Sequence, residues 1–234
     1  MQDPSQYPPV SKPNDNGLNM PENNPKKSKN NKDDIKNIVY TISLFVLAPL
    51  FALFMIIFIF QSYVVDGSSM EPTLQNGNRV FILKLPKTLS SLQHKPYIPK
   101  QHEIIVFKKP TEPDVQLIKR VIGLPGDHVI VNDGHITIYN SEHPDGYNPD
   151  DNTDYGSTLA STTGSVDITV GPNELFVSGD NRGPGGSLDS RTGLGLVPVE
   201  NIVGRLWVRY FPLNEIKVFG VLPSSNLPKQ FYKI

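Results

Sequence analysis

The amino-acid sequence predicts a mainly β domain behind a single N-terminal transmembrane helix. One long apolar run lies near the N-terminus, and short β-branched and aromatic runs separated by turns follow it. The 22 prolines and 18 glycines favour strands and turns over helices. The chain has 234 residues, so enough remains after the apolar run for one domain with a real core.

The amino-acid composition limits which kinds of functional site and which partners this protein can have. The chain has no cysteine, which excludes disulfides, thiolate metal sites and a cysteine nucleophile. Its net charge of −1 gives no basis for a nucleic-acid partner. The five histidines lack metal-ligand spacing. The segment Asp150-x-Asn152-x-Asp154 resembles a calcium loop only faintly, because its glycine comes at 156 and residue 161 is serine. We therefore expect no cofactor and no metal.

Residues 38–60 form the apolar run, which carries no charge from Ile38 to Phe60. As a helix these residues would be about 34 Å long, enough to span a bilayer. The run is too long and starts too late for a cleaved signal peptide. Residues 1–37 are polar, and we expect a disordered tail there. Several lysines precede the run and none follows it closely, which predicts a cytoplasmic N-terminus and an extracytoplasmic domain.

Residues 61–222 are predicted to form that β-rich domain, and residues 223–234 a C-terminal tail. The segment Asn132-Asp133-Gly134 separates two strand-like runs and indicates a hairpin. Residues 141–165 are polar and lack periodicity, so we expect a surface insertion there. We expect no helix of useful length after residue 65. The predicted strands are 79–83, 103–107, 115–123, 128–131, 135–139, 166–170, 175–177, 202–211 and 216–219.

The stretch from Asp66 to Leu74 places two adjacent serines in a turn-like segment soon after the apolar run. Gly67 permits unusual backbone conformations, and Pro72 restricts the chain near it. This pattern predicts a rigid loop that presents one serine hydroxyl. An ordinary polar turn after a membrane helix remains the alternative.

A serine hydroxyl needs a neighbouring base to become a nucleophile. None of the histidines lies in a recognisable triad setting. Lys119 lies in an apolar strand, where burial lowers the pKa of an amine. Lowering its pKa from about 10.4 to about 7.5 requires roughly 4 kcal/mol of differential stabilisation. The alternative is that Lys119 and Arg120 are ordinary alternating strand residues.

A third cluster is densely polar and follows the predicted strand 175–177. It comprises Ser178-Gly179-Asp180-Asn181-Arg182 and Ser187-Leu188-Asp189-Ser190-Arg191. A hydroxyl in it can orient the lysine amine, and Asp189 and Arg191 can form a fixing ion pair. Taken alone, this cluster also fits a loop of capping and turn residues.

Together the three clusters resemble bacterial type I signal peptidases, membrane-anchored serine proteases with a Ser-Lys dyad. The family pattern Ser-Met-x-Pro-Thr-Leu is matched by residues 69–74, and Lys-Arg-x-x-Gly-x-Pro-Gly-Asp by residues 119–127. The pattern Gly-Asp-Asn-Arg…Ser-x-Asp-Ser-Arg is matched by residues 179–182 and 187–191. The resemblance spans about residues 36–220 and implies a signal-peptidase-like β catalytic domain.

The resemblance implies that Ser69 is the nucleophile, since it directly precedes Met70, and that Lys119 is the general base. Ser187 matches the serine that orients the lysine, with Ser190 as the alternative. Some members carry a second hydroxyl two residues before the nucleophile. Here that position is Gly67, so this hydroxyl is missing, as in the Gram-positive-like branch. The positions that mainly hold the site together are Asp180, Asp189 and Arg191.

Two departures accompany the resemblance. Gly183-Pro184-Gly185-Gly186 makes the spacing before Ser187 two residues longer than usual. His102-Glu103 stands where the family usually has Gly-Asp.

The implied reaction is removal of signal peptides from secretory precursors by acyl transfer, with small residues at substrate positions −1 and −3. The implied partners are signal-peptide-bearing precursors and the lipid bilayer. Two other classes stay open: a Ser-Lys autoprotease linked to DNA-damage repression, which would need a helix-turn-helix and no anchor, and a non-enzymatic anchored β domain. A precursor-cleavage assay separates the last class from a peptidase.

Overall fold

The computed structural model describes residues 31–220. The chain divides into two compact units, Met1–Ala48 and Pro49–Ile234. The described part of the first unit is the N-terminal portion of helix α1, which runs Asn31–Phe58. Within α1, the stretch Ile35–Phe58 has a mean hydropathy of 2.6 and is long and apolar enough to cross a membrane.

Helix α1 differs from the predicted segment at both ends. It begins at Asn31, so residues 31–37, which we expected to be disordered, are helical. These residues contain no proline or glycine to stop the helix from extending beyond its apolar part. At the other end, Phe60 belongs to a strand instead of the helix. The rest of the predicted N-terminal tail and the whole predicted C-terminal tail lie outside the described residues.

Within the described part of the second unit, residues 49–220, eleven strands form two antiparallel sheets. In chain order they are β1 (Phe60–Val64), β2 (Arg79–Leu83), β3 (Ile104–Lys109), β4 (Glu112–Gly123), β5 (His128–Asn132), β6 (His135–Tyr139), β7 (Val166–Thr169), β8 (Glu174–Ser178), β9 (Val197–Pro198), β10 (Ile202–Phe211) and β11 (Lys217–Val218). The larger sheet has the order β1-β2-β10-β3-β4-β8-β9, with β11 beside β10, and the smaller one β6-β5-β7.

The mainly β fold is therefore confirmed, and each predicted strand has an observed counterpart. The hairpin is also confirmed, because β5 pairs with β6 and both Asp133 and Gly134 have positive φ. Sequence patterns missed the strands β1 and β9 and the short helix α2 (Leu85–Leu92). Strand β1 was missed because Phe60 continues the apolar run and Gln61 and Ser62 are weak strand signals.

The larger sheet is buried on both faces where β3 crosses it. Ile104 and Val106 pack in one apolar cluster, whereas Ile105 and Phe107 pack in another. Successive strand residues point to opposite faces, so a continuous apolar run fits a strand that is covered on both sides. In a third apolar cluster, residues of the smaller sheet pack against Ile122 and Phe176.

Strands β1 and β4 of the larger sheet are among those that leave backbone edges open within residues 31–220. Strand β1 ends the sheet and pairs only with β2. Strand β4 pairs with β3 along its length but with β8 only from Arg120 to Gly123. Residues 112–119 of β4 therefore keep one free edge. The Tyr63 hydroxyl donates a hydrogen bond to Gln116 Oε1 at 2.7 Å, which brings the two open edges together.

Candidate active site

The loop between β1 and β2 carries Ser69 and is fixed by its own apolar residues. Met70 and Leu74 are fully buried in the cluster that also holds Val80 and Ile82 of β2. Leu74 N–H donates to Met70 O at 2.8 Å, and Gly67 adopts a φ of +93°. The buried side chains on one side of Ser69 fix the loop, while Ser69 itself stays partly exposed.

Lys119 of β4 contacts the hydroxyl of Ser69. Its Nζ lies 2.7 Å from Ser69 Oγ and donates a second hydrogen bond to Ile118 O at 2.8 Å. Lys119 is only 3% exposed. Of the two candidate serines, therefore, Ser69 has the lysine as its neighbour.

Burial lowers the pKa of Lys119 from its ordinary value to about 8. The carboxylates of Asp189 and Asp180 oppose this shift, and the guanidinium of Arg191 adds to it. An amine with such a pKa is partly neutral near neutral pH and can accept a proton.

The predicted ion pair of Asp189 and Arg191 is present. Arg191 Nη2 lies 2.7 Å from Asp189 Oδ2, and both side chains are almost fully buried. Asp189 Oδ2 also accepts a hydrogen bond from the backbone N–H of Gly179 at 2.8 Å. The pair therefore fixes the turn that follows β8.

Ser187 lies in the same region, but it does not hydrogen-bond Lys119 in this structure. Its Oγ is buried and has no hydrogen-bond partner among residues 31–220. Ser190, the alternative, donates to Gly195 O at 2.8 Å and accepts from Val177 N at 3.0 Å, so its hydroxyl is engaged elsewhere. The long spacing before Ser187 forms a turn in which Gly186 N–H donates to Gly183 O at 3.1 Å.

Asp180 is fully buried and pairs with Arg120, the residue after Lys119. Arg120 Nε lies 2.8 Å from Asp180 Oδ1, and Arg120 Nη2 lies 2.5 Å from Asp180 Oδ2. This two-point contact joins the strand that carries Lys119 to the polar turn after β8. Sequence analysis named Asp180 but gave Arg120 no role.

Gly179 and Asn181 hold the backbone of the serine loop. The backbone N–H of Asn181 donates to Ser69 O at 3.1 Å, and its side-chain amide donates to Ser68 O at 3.3 Å. A Cβ on Gly179 would overlap Ser69 O and Ser187 Oγ, so only glycine fits there. Both residues belong to the Gly-Asp-Asn-Arg motif, and this motif is the sequence signal that could have identified them as site residues.

The sequence motifs likewise predicted no role for Arg182. Its side chain is fully buried, and its Nη1 and Nη2 lie 2.7 and 2.9 Å from the carboxylate of Asp150. Its Nε donates to Gly179 O at 2.8 Å. Asp150 lies in residues 141–165, so this segment packs on the polar turn and is more than a surface insertion. The carboxylate of the faint calcium-loop pattern is thus engaged by an arginine.

His102, which belongs to the second departure from the family pattern, also contacts the insertion. His102 adopts a φ of +70°, which is uncommon for a residue other than glycine. Its Nδ1 lies 2.7 Å from the hydroxyl of Tyr155, and its backbone carbonyl accepts a hydrogen bond from Arg120 at 2.9 Å. Burial, followed by the charge of Arg120, lowers the pKa of His102, while Asp150 opposes that shift.

A small groove of about 130 Å³ opens beside the serine and the lysine. Its walls come from residues 63–66 and 116–119, together with Val80 and Val106. The two open strand edges thus border the groove.

Comparison with known proteins identifies the family of this chain. The family model "Signal peptidase, peptidase S26" matches residues 38–211. Signal peptidase I of Bacillus licheniformis is 32% identical over 82% of this chain and 96% of its own length. Signal peptidase I T of Bacillus subtilis is 35% identical over 74% of this chain and 84% of its own length.

A crystal structure of a signal peptidase I from Enterococcus faecalis shares 27% sequence identity, covers 46% of this chain and 96% of its own, and has a TM-score of 0.36. The family match and the Bacillus relatives determine the assignment. The chain belongs to the peptidase S26 family of signal peptidases I, the serine-type peptidases that cleave signal peptides from secretory precursors.

Proposed function

We propose that Ser69 and Lys119 perform this cleavage as a nucleophile and its general base. The observation that carries the proposal is the 2.7 Å contact between Ser69 Oγ and Lys119 Nζ, an amine that is almost fully buried. A neutral amine at this distance can take the hydroxyl proton, which a weak nucleophile such as serine requires.

Acylation then proceeds through a tetrahedral intermediate. Lys119 Nζ takes the proton of Ser69 as Oγ adds to the scissile carbonyl, and the carbonyl oxygen becomes an oxyanion. The Ser69 backbone N–H makes no hydrogen bond within residues 31–220, so it is available to donate to that oxyanion. Collapse breaks the peptide bond, and the leaving nitrogen receives the proton from Lys119.

Deacylation repeats these steps with water. Lys119 takes a proton from water as the water oxygen adds to the acyl carbonyl. Collapse breaks the ester bond, and the proton returns to Ser69 Oγ. The products are the signal peptide and the mature protein.

The supporting residues act through the polar turn after β8. Asp180 holds Arg120, and Asp189 holds Arg191 and the N–H of Gly179. We assign the orientation of the lysine to Ser187, whose buried hydroxyl lies against Gly179 together with the carbonyl of Ser69. A hydrogen bond between Ser187 and the amine would form when Lys119 gives up its contact with Ser69 during acylation.

The precursor segment before the cleavage site would bind as an extended strand in the groove between β1 and β4. Open strand edges bind extended peptides through backbone hydrogen bonds. Alternate residues of an extended chain point to the same side, so positions −1 and −3 face one wall together. A groove of about 130 Å³ then accommodates only small side chains at both positions.

The localisation at a membrane follows from helix α1, and its orientation is part of this proposal. We assign residues 1–37 to the cytoplasm, the apolar run 38–60 to the membrane, and the catalytic domain 61–222 with its tail to the extracytoplasmic side. The lysines before the helix support this direction, since such residues favour the cytoplasmic side. Anchoring raises the effective concentration of enzyme and membrane-bound precursor.

The direct test is cleavage of a purified precursor by the full-length chain in detergent micelles, with N-terminal sequencing of the product. Ser69→Ala should lower kcat by at least about 10³-fold, whereas Ser68→Ala should retain activity within about threefold. Residual cleavage by Ser69→Ala at the wild-type rate would exclude Ser69 as the nucleophile.

The orientation is testable because the chain has no cysteine. We expect a membrane-impermeant maleimide to label Glu142→Cys but not Ser28→Cys in intact cells, and to label both after lysis. The unmodified chain serves as the unlabelled control. The opposite labelling pattern in intact cells would reverse the orientation.

A further inference from the structure

The insertion, residues 141–165, contacts the catalytic loops through several side chains, among them Asp150 and Tyr155. We propose that Asp150 and Tyr155 are positioning residues for the peptidase reaction, Asp150 for the backbone around Ser69 and Tyr155 for the strand that carries Lys119. The inference rests on the Ser69-Lys119 dyad proposed above. Neither residue belongs to the sequence stretches that define the dyad.

The first link runs from Asp150 to the serine loop. Asp150 contacts Arg182 at two points, 2.7 and 2.9 Å, and Arg182 is fully buried. A buried guanidinium without its carboxylate is strongly unfavourable, so Arg182 depends on Asp150 for its position. Thr162, from the same insertion, also accepts a hydrogen bond from Arg182 Nη1 at 3.2 Å.

Arg182 passes this constraint to the serine through Gly179. Arg182 Nε donates to Gly179 O at 2.8 Å, while Gly179 N–H donates to Asp189 at 2.8 Å. Gly179 is packed so closely on Ser69 O and Ser187 Oγ that a Cβ would overlap both. A displacement of Gly179 therefore moves the backbone of the nucleophile.

The second link runs from Tyr155 to the lysine strand. The guanidinium carbon of Arg120 lies 3.6 Å from the centre of the Tyr155 ring, a close cation–π contact. The ring covers the Arg120 side chain, which holds Asp180 at two points. The Tyr155 hydroxyl is fixed by His102 Nδ1 at 2.7 Å.

Tyr155 therefore shields the Arg120-Asp180 pair from water, and this pair affects the lysine next to it. Asp180 favours the charged form of Lys119. Arg120 contacts the same carboxylate at two points and carries the opposite charge, so a paired Asp180 attracts the ammonium less than a free one would. The charged and titratable groups that face Lys119 are Asp180, Asp189 and Arg191. Those that face Tyr155 are His102, Arg120, Asp150, Asp180 and Arg182.

Losing the ring admits water beside Arg120 and weakens its hold on Asp180. Both changes favour the ammonium form of Lys119, so the amine becomes neutral only at a higher pH. The readout that separates positioning from mere stability is therefore the pH profile of kcat.

The test of Asp150 uses its exposed neighbour as a matched control. In the full-length chain, Asp150→Asn should lower kcat by about 10- to 100-fold with KM changed less than about twofold, because a misplaced nucleophile affects the reaction step more than precursor binding. Asp151→Asn should match the wild type, and Asp150→Glu should recover part of the loss. Equal kcat values for Asp150→Asn and Asp151→Asn overturn the role of Asp150.

To separate catalysis from partial unfolding of Asp150→Asn, kcat is taken per active site titrated with an acylating inhibitor. A loss that disappears after this correction means that Asp150 only stabilises the fold, which contradicts the inference. Ser69→Ala is assayed in parallel. If Ser69→Ala stays active, the dyad is wrong, whereas a normal kcat for Asp150→Asn with an inactive Ser69→Ala overturns this inference alone.

The test of Tyr155 compares two substitutions. Tyr155→Phe keeps the ring over Arg120, so the midpoint of the kcat-pH profile should stay within about 0.2 pH units of the wild type. Tyr155→Leu removes the cation–π contact, and the midpoint should move upward by about half a unit or more. An unchanged midpoint in Tyr155→Leu, or an equal shift in both variants, overturns the role of the ring.

Discussion

Lys119 and Arg120 are consecutive residues of β4, and both carry a basic group that is almost fully buried. Arg120 has a carboxylate partner, Asp180, at two points. Lys119 instead contacts the hydroxyl of Ser69 and the carbonyl of Ile118, and no carboxylate hydrogen-bonds it within residues 31–220. Burial without such a partner lowers the pKa of Lys119 to about 8.

The other buried arginines near the site follow the pattern of Arg120. Arg182 pairs with Asp150, and Arg191 pairs with Asp189. This protein therefore pairs its buried arginines near the site with carboxylates, whereas Lys119, the proposed general base, has no carboxylate hydrogen-bonded to it within residues 31–220. The arginines that are paired with carboxylates hold the loops of the site in place. Lys119, without a carboxylate partner among the described residues, can exchange a proton.

The largest effect is expected when the lysine becomes a permanent cation. Lys119→Arg keeps the charge, but guanidinium does not lose its proton near neutral pH, so kcat should fall by at least about 10³-fold. Cleavage of a purified precursor measures this. Arg120→Lys is the matched control, since it keeps a cation beside Asp180 and should retain more activity. Substantial cleavage by Lys119→Arg would show that the base lies elsewhere.

A paired arginine should instead be sensitive to loss of its carboxylate. Asp189→Asn leaves Arg191 buried without a counter-charge and should lower the free energy of unfolding by about 3–5 kcal/mol. The fluorescence of Trp207, the single tryptophan, can follow urea unfolding. Glu112→Gln breaks the more exposed pair with Lys109 and should cost about 1 kcal/mol or less. Similar costs for the two variants would contradict the comparison.

The pH dependence tests the lysine directly. Its amine is active when neutral, so kcat should rise with pH through a midpoint near 8. Below that midpoint, activity should fall about tenfold per pH unit. Single-turnover cleavage across pH 6–10 measures the profile, because it isolates the chemical step. A midpoint near the ordinary value for lysine would mean that burial does not act on Lys119.

The smallest effect is expected from removing the hydroxyls of Ser187 and Ser190. Ser187→Ala should lower kcat by about 3- to 10-fold, the worth of one hydrogen bond. It should leave stability nearly unchanged, since Ser187 Oγ makes no hydrogen bond among the described residues. Ser190→Ala loses two hydrogen bonds and should show the reverse, with unfolding easier and kcat little changed. If Ser190→Ala alone lowers kcat, the orienting role belongs to Ser190.

Much of the fold was predictable because most of the strands carry a local signal. Strand β10, for example, matches its predicted range of Ile202–Phe211, and the turn at Asp133-Gly134 has its expected conformation. Strand β1 was not predictable, since its start is apolar like the helix before it. Its strand conformation comes from pairing with β2, a contact between residues far apart in sequence.

The candidate site, like the fold, was only partly predictable from the sequence. The resemblance of its motifs to the family singled out Ser69 and Lys119, and the structure brings the two side chains into contact across fifty positions of the chain. The roles of Arg120 and Arg182 were not visible, because an arginine in a motif does not reveal its carboxylate. Asp150 and Tyr155 lie in a segment without periodicity, so no local pattern marked them.

By itself the sequence predicted the apolar helix and most of the strands along the chain, because these depend on local composition, and the resemblance of its motifs to the family named the residues of the proposed dyad. Only the tertiary structure decided which cations are paired. Whether a buried base is charged depends on the groups that folding places around it. Lys119 and Arg120 are equivalent as adjacent letters, but folding places a hydroxyl beside the first and a carboxylate beside the second.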